Sequence, residues 1–327
     1  PGDALRDPGY IYASVRQARR MGNLPGAIQT LATRPPAQTP PLDPEKWITE
    51  LLSAARSADS SSAVRIAASI DDTFAPGADV SRMKYKIRDD YTSLMWLGGT
   101  KAMQTLGSPA QAAPLFYRYG AAAQTPQTRA KGFYWAGRAA ERAGDRNGSA
   151  RYFDMAAAYP TAFYGMLALE RVGRAIPPLT NTPRAAPTSA ERAAFNARPI
   201  TAAGREGARG AHWKTTVRFF REISDQADSE ADHVLVADLA SSLGRRDLGV
   251  ILGQAAHSEG MVNFQQVAYP LIPARQGSDW TMVHAISRQE SQFSMNAVSH
   301  AGARGLMQLM PGTAREQAGK IGLFYHP

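Results

Sequence analysis

The chain has 327 residues, of which 44% are hydrophobic and 20% charged, with 0 Cys and a formal net charge of +9. That length supports a large core and more than one domain; the absence of cysteine excludes a disulfide framework and a thiolate metal site, and no apolar run approaches the ~20 residues of a membrane-spanning helix. The positive balance asks for an anionic partner or surface. Lys and Arg are nevertheless interspersed with Glu and Asp and no aromatic-basic motif occurs, so nucleic acid is not expected, and the 6 scattered His give no expectation of a metal or cofactor.

The chain begins at Pro1 without a methionine or signal peptide, as an exported protein with its signal removed also would. Tyr10 to Met21 and Leu24 to Leu31 read as helices, and Arg34-Pro35-Pro36 through Pro44 as a loop. The apolar spacing of Trp47, Ile48, Leu51, Leu52 and Ala55 predicts a helix to Ser57, and Val64 to Ile70 another. From Ser81 to Val172, successive helices are separated by breaks at Gly107-Ser108-Pro109, Gln124-Thr125-Pro126, Gly144-Asp145 and Tyr159-Pro160, the rhythm of antiparallel helix pairs stacked as a solenoid. Two patches, Gly132 to Ala140 and Phe163 to Ala168, mix aromatics with Gly and Ala. That mixture suits close helix packing more than a sugar platform.

Arg174 to Ser189 is rich in Pro and Thr and reads as a long surface connection. Helices are expected again over Ala190–Asn196, Trp213–Ser224, Ser229–Leu243 and Arg245–Ala256, with Ser229 and Asp232 forming a cap. Phe264 to Ser278, containing Tyr269-Pro270-Leu271-Ile272-Pro273, reads as an extended connector. The expected organisation is therefore a helical domain over 1–257, a linker over 258–277 and a further module over 278–327.

Within that last module Trp280 to Phe293 is expected as a helix, opened by Ser278 or Asp279 as cap. Val283, Ile286 and Phe293 share one apolar face, and Glu290 falls on it. A carboxyl buried there would lose solvation and hold its proton near neutrality, ready to donate it; the plainer alternative is an exposed or salt-bridged Glu at a helix end, with Arg288 or Arg304 as partner. After the helix, Gly302, Gly305, Pro311 and Gly312 punctuate a run, Gly305-Leu306-Met307-Gln308-Leu309-Met310-Pro311, in which one amide stands among large apolar side chains. Such a setting suits directed hydrogen bonds in a ligand groove. Thr313 to Glu316 has the pattern of a capping box, which makes Glu316 a helix-start residue rather than a second catalytic acid.

Glu290-Ser291-x-Phe293, then Ser299-x-x-Gly302-Ala303-x-Gly305-Leu306-Met307-Gln308-x-Met310-Pro311-x-Thr313-Ala314, resembles the first two motifs of the soluble lytic murein transglycosylases. The aromatic patches similarly resemble the helical superhelix that precedes the catalytic domain in that family. The resemblance implies an all-α protein, a superhelical solenoid of antiparallel helix pairs followed by a lysozyme-like α-rich catalytic domain, incomplete as given because the family's Ala-Tyr-Asn motif and later tyrosine do not follow. It implies a periplasmic enzyme acting on peptidoglycan glycan strands, with other cell-wall enzymes as further candidate partners and no cofactor. Cleavage would occur between N-acetylmuramic acid and N-acetylglucosamine, the muramyl 6-hydroxyl closing on the anomeric carbon. Hydrolysis usually takes two carboxylates, whereas Glu290 alone would serve here as acid and then base. By the same resemblance Ser299, Gln308 and Met310 are substrate-binding candidates and Ser291 orients the helix end. A turn role for Ser299 and a core contact for Met310 are the plainer alternatives. Two other functions stand beside this one: a non-catalytic helical scaffold that binds wall polymer or proteins, and a hydrolytic lysozyme.

Overall fold

The computed structural model describes residues 4–178, 185–210, 213–258, 264–273, 277 and 279–326. By packing, the chain divides into two compact units, Pro1–Pro177 and Pro178–Pro327. The division falls in the Pro- and Thr-rich stretch that the sequence marks as a connection. Among the described residues the regular structure is helical, relieved only by isolated antiparallel bridges in a late loop, and no helix is long and apolar enough to cross a membrane.

In the first unit the helices are α1 (Pro8–Arg20), α2 (Leu24–Thr33), α3 (Pro44–Ser57), α4 (Ser60–Ala68), α5 (Tyr85–Thr100), α6 (Pro109–Ala122), α7 (Pro126–Arg142), α8 (Arg146–Ala157) and α9 (Phe163–Arg171). Their starts follow from local chemistry. Asp7, Asn23, Asp43, Asp59, Thr125 and Asp145 each accept a backbone N–H of the first turn, and α1, α2, α3, α6 and α7 carry Pro in the first helical positions, where its missing N–H costs nothing. From α5 onward each helix packs on the next, and α7 also touches α9, as a stack of antiparallel pairs requires.

Small residues let those helices approach. A side chain on Gly132 would stand 2.4 Å from the Gly120 nitrogen, so α6 and α7 meet backbone to backbone. Phe133, Tyr134 and Phe153 fill the space beside that crossing, which accords with the packing role read from the aromatic-glycine patch.

The second unit contains α10 (Ser189–Ala197), α11 (Pro199–Gly210), α12 (Trp213–Asp225), α13 (Glu230–Ser242), α14 (Arg246–Ser258), α15 (Gln265–Ala268), α16 (Trp280–Ser291) and α17 (Pro311–Lys320). Ser229 caps α13 through the Asp232 N–H, as its sequence suggests. Phe195, Phe220, Leu235, Leu239, Leu248 and Leu252 form the core of α10 to α14. Helix α11 is absent from the sequence reading because three glycines weaken its local helix signal. Packing overrides that cost: Gly204 lies against Ile223, whose Cδ1 would stand 2.7 Å from an added Cβ, and the Thr216 hydroxyl donates to the buried Gly207 carbonyl at 2.8 Å. The expected extended connector likewise contains a helical turn, α15, because Val267 and Ala268 sit over Gly249 and Gly253 of α14.

Candidate functional site

Helix α16 begins after Asp279, which occupies the cap position without making a side-chain cap bond; Ser278 lies outside the described residues. The helix is held by polar contacts. His284 contacts the Trp280 carbonyl through Nδ1 at 2.9 Å and accepts the Ile272 N–H through Nε2 at 3.0 Å, a pairing that fixes the neutral tautomer protonated at Nδ1. Arg288 Nε donates to the Ala268 carbonyl at 3.0 Å, and its guanidinium lies 4.1 Å from the centre of the Tyr269 ring. These anchors were missed in the sequence. Their spacing, with His284, Ser287, Arg288 and Ser291 at successive intervals of three, one and three, is the signal that could have found them.

That spacing also corrects the expected face. The covered stripe is 284-287-288-291, centred on fully buried Ser287, about one residue round the helix from the stripe of Val283, Ile286 and Glu290. Glu290 is consequently exposed, and among the described residues it makes no hydrogen bond or ion pair with Arg288, Arg304 or any other group. The buried acid and the ion pair are not realised; the plainer alternative of an exposed Glu at a helix end is. Phe293 is buried, but beyond the helix: Gln292 and Phe293 both have left-handed backbone, which turns the chain and tucks the ring beside His284 at 6.2 Å.

The loop that follows is compact. Arg304 and Leu309 exchange backbone hydrogen bonds at 3.0 and 3.1 Å, and Gly305 donates to the Ala297 carbonyl at 3.0 Å. Gly302 and Gly305 have φ of 88° and 74°, values that favour residues without a Cβ. Gln308 also has a positive φ, 48°, and its amide offsets that strain by donating to the Ala297 and Gly305 carbonyls at 3.1 and 2.9 Å. Ser299 accepts the Ala303 N–H at 3.0 Å and so closes the turn. Its hydroxyl hydrogen has no acceptor among the described residues.

Ser291 joins the two pieces. Its hydroxyl lies 2.7 Å from the Leu306 carbonyl and 3.1 Å from that of Ser287, so the last turn of α16 is fastened to the Gly305–Gln308 loop. Met310, 45% exposed, is no core contact; it is the N-cap residue of α17. Helix α17 opens at Pro311 rather than at Thr313, because proline is pre-set for the first helical turn. Glu316 pairs with Lys320 one turn on, at 2.7 Å.

Residues 272–326, which include α16, this loop and α17, match the model of the transglycosylase SLT domain. By this match the end of the chain is similar to a transglycosylase domain. An inactive mutant of the lytic transglycosylase Slt from Pseudomonas aeruginosa is similar in structure, with a TM-score of 0.55 at 20% identity over 98% of this chain and 54% of that one. The 70 kDa soluble lytic transglycosylase SLT70 from Escherichia coli aligns with a TM-score of 0.46 at 16% identity, over 98% of this chain and 59% of that one. The chain thus spans about half the length of the solved structures it matches, and the Pseudomonas likeness establishes the all-helical fold.

Proposed function

We propose that the protein is a lytic transglycosylase of the periplasm that cleaves the β-1,4 linkage between N-acetylmuramic acid and N-acetylglucosamine in peptidoglycan. The observation that carries this reading is the Ser291–Leu306 bond inside the SLT match, since it sets the helix bearing Glu290 against the loop bearing Gln308. In this account residues 278–327 contribute to a lysozyme-like catalytic module joined through the 258–277 linker to the helical domain over 1–257. Glu290 donates a proton to the leaving oxygen as the anomeric bond breaks. The resulting carboxylate then takes the proton of the muramyl 6-hydroxyl as that oxygen bonds to the anomeric carbon, leaving a 1,6-anhydro end with no water added. Ser291 orients the helix end, while Ser299, Gln308 and Met310 contact the sugar: Ser299 through its free hydroxyl hydrogen, Gln308 through its amide oxygen, and Met310 through its exposed thioether.

The exposure of Glu290 adds a condition. General-acid work by this carboxyl requires that bound saccharide or another surface exclude water from it. The same exposure favours the scaffold as the second reading, in which the helical unit binds wall polymer without cutting it. Incubating murein with the protein and identifying the ends by mass spectrometry separates the readings: anhydro ends support cleavage by transglycosylation, reducing ends a hydrolase, and intact strands the scaffold.

A further inference from the structure

On the first unit, the helices α6, α7 and α9 converge on an open groove of 310 Å³ lined by Tyr119, Gln127, Thr128, Lys131, Phe163 and Tyr164. Its floor is aromatic. Trp96 lies 5.0 Å from Tyr119, centre to centre, and Phe163 stands edge-on to Tyr164 at 5.1 Å while remaining 63% exposed. Packing accounts for Tyr134 and Phe153 nearby, but a phenyl ring left in water at the mouth of a groove contributes little to the fold.

The polar groups of the groove point the same way. Lys131 Nζ sits 3.6 Å from the centre of the Trp96 ring and 5.5 Å from that of Tyr119, yet among the described residues it has no acid and no hydrogen-bond acceptor. Burial lowers its pKa from the ordinary lysine value, with no neighbouring charge acting to raise it. The hydroxyls of Tyr119 and Tyr164 likewise make no hydrogen bond to protein among those residues. Nearby arginines are already engaged: Arg129 with the Tyr159 hydroxyl and the carbonyls of Ala121 and Ala123, Arg138 with the Tyr134 hydroxyl. An ammonium, two phenols and the Gln127 and Thr128 side chains therefore surround an aromatic bed with donors in hand.

We propose that this groove is a saccharide-binding site on the helical unit and takes a glycan segment that carries a carboxylate. The exposed ring receives the apolar face of a pyranose, as aromatic side chains do at amphipathic contacts. Gln127, Thr128 and the tyrosine hydroxyls reach ring hydroxyls or acetamido groups, and Lys131 pairs with the acid. A nucleic-acid strand would need a row of cations to follow its phosphates, and the groove supplies one.

The test uses this chain with Glu290→Gln, so that no probe can be turned over, and calorimetric titration of two tetrasaccharides: one alternating N-acetylglucosamine with N-acetylmuramic acid, the other chitotetraose, of equal length but without carboxylates. Adding Lys131→Met, which keeps the aliphatic stem, is expected to weaken the acidic sugar about tenfold and to leave chitotetraose unchanged. Phe163→Ala, at an exposed position, is expected to weaken both several-fold, with Gln127→Ala as the alternative probe should either variant lose helical circular dichroism. Unchanged affinity for both sugars in all three variants would overturn the proposal, as would selective binding of a single-stranded oligonucleotide that Lys131→Met abolishes. Groove binding and cleavage are read separately, so a protein that binds without cutting counts against the proposed reaction alone, and one that cuts without groove binding counts against the groove alone.

Discussion

Helices α7 and α16 solve the same problem in opposite ways. Helix α7 buries Ala130, Gly132, Phe133, Tyr134, Ala136, Gly137, Ala139 and Ala140 against its neighbours, whereas α16 buries Ser287 alone and is positioned by His284, Arg288 and Ser291 through directed hydrogen bonds. Close packing of small residues gives α7 stability and little freedom to change. A helix fixed by a few polar contacts leaves its other faces open, and that is where α16 displays Glu290. Fixing a helix by backbone packing and fixing it by a few polar contacts are thus separable in their physics.

The sharpest way to break this comparison is to add one methyl group to each region. Gly132→Ala drives a Cβ to 2.4 Å from the α6 backbone and is expected to cost about 3 kcal/mol by overpacking, visible as a lower urea midpoint for the first unit. In contrast, nothing lies within 4 Å of a Cβ on Gly312 in α17. Next in size, Ser291→Ala should cost about 1 kcal/mol and appear as faster amide exchange in the Gly305–Leu309 loop, with α7 unchanged. If that loop kept its protection, polar fastening would not be what holds the region. Smaller still, Gly312→Ala should stabilise α17 by about 0.5 kcal/mol through the unfolded state, read as slower exchange of its amides.

The smallest effect is electrostatic and belongs to the first unit. The Ser62 hydroxyl and backbone N–H hold the Asp59 carboxyl below its ordinary range. Its contribution to stability is therefore full above the unfolded value of roughly 3.9 and is lost as pH falls through the lower folded value. Asp59→Asn should flatten this part of the acid limb in a pH series of unfolding midpoints, and an unaltered limb would remove the cap from the account.

Where a residue's role is local, the sequence was readable. Pro109 and Pro126 mark helix starts, Ser229 caps α13, and the glycines at 302 and 305 occupy left-handed turns. Roles decided by distant partners were not readable: α11 forms despite Gly204 and Gly207 because Ile223 and Thr216 come from another helix, and α15 forms because α14 offers glycines beneath it. The site divides along the same line. The proximity of the α16 end to the Gly-Leu-Met-Gln block follows the motif, whereas the apolar spacing left Glu290 open between a buried and an exposed setting. Periodicity gives the spacing of a face, and only the connector at Ala268–Ile272 decides which face is covered.

Most direct for the central claim is a mass-spectrometric inventory of glycan ends after murein is incubated with the protein and, in parallel, with its Glu290→Gln variant. Cleavage by a single acid and base predicts 1,6-anhydro ends from the first and none from the second, with helix content equal in both. Reducing ends, or anhydro ends formed as readily by the variant, would contradict it.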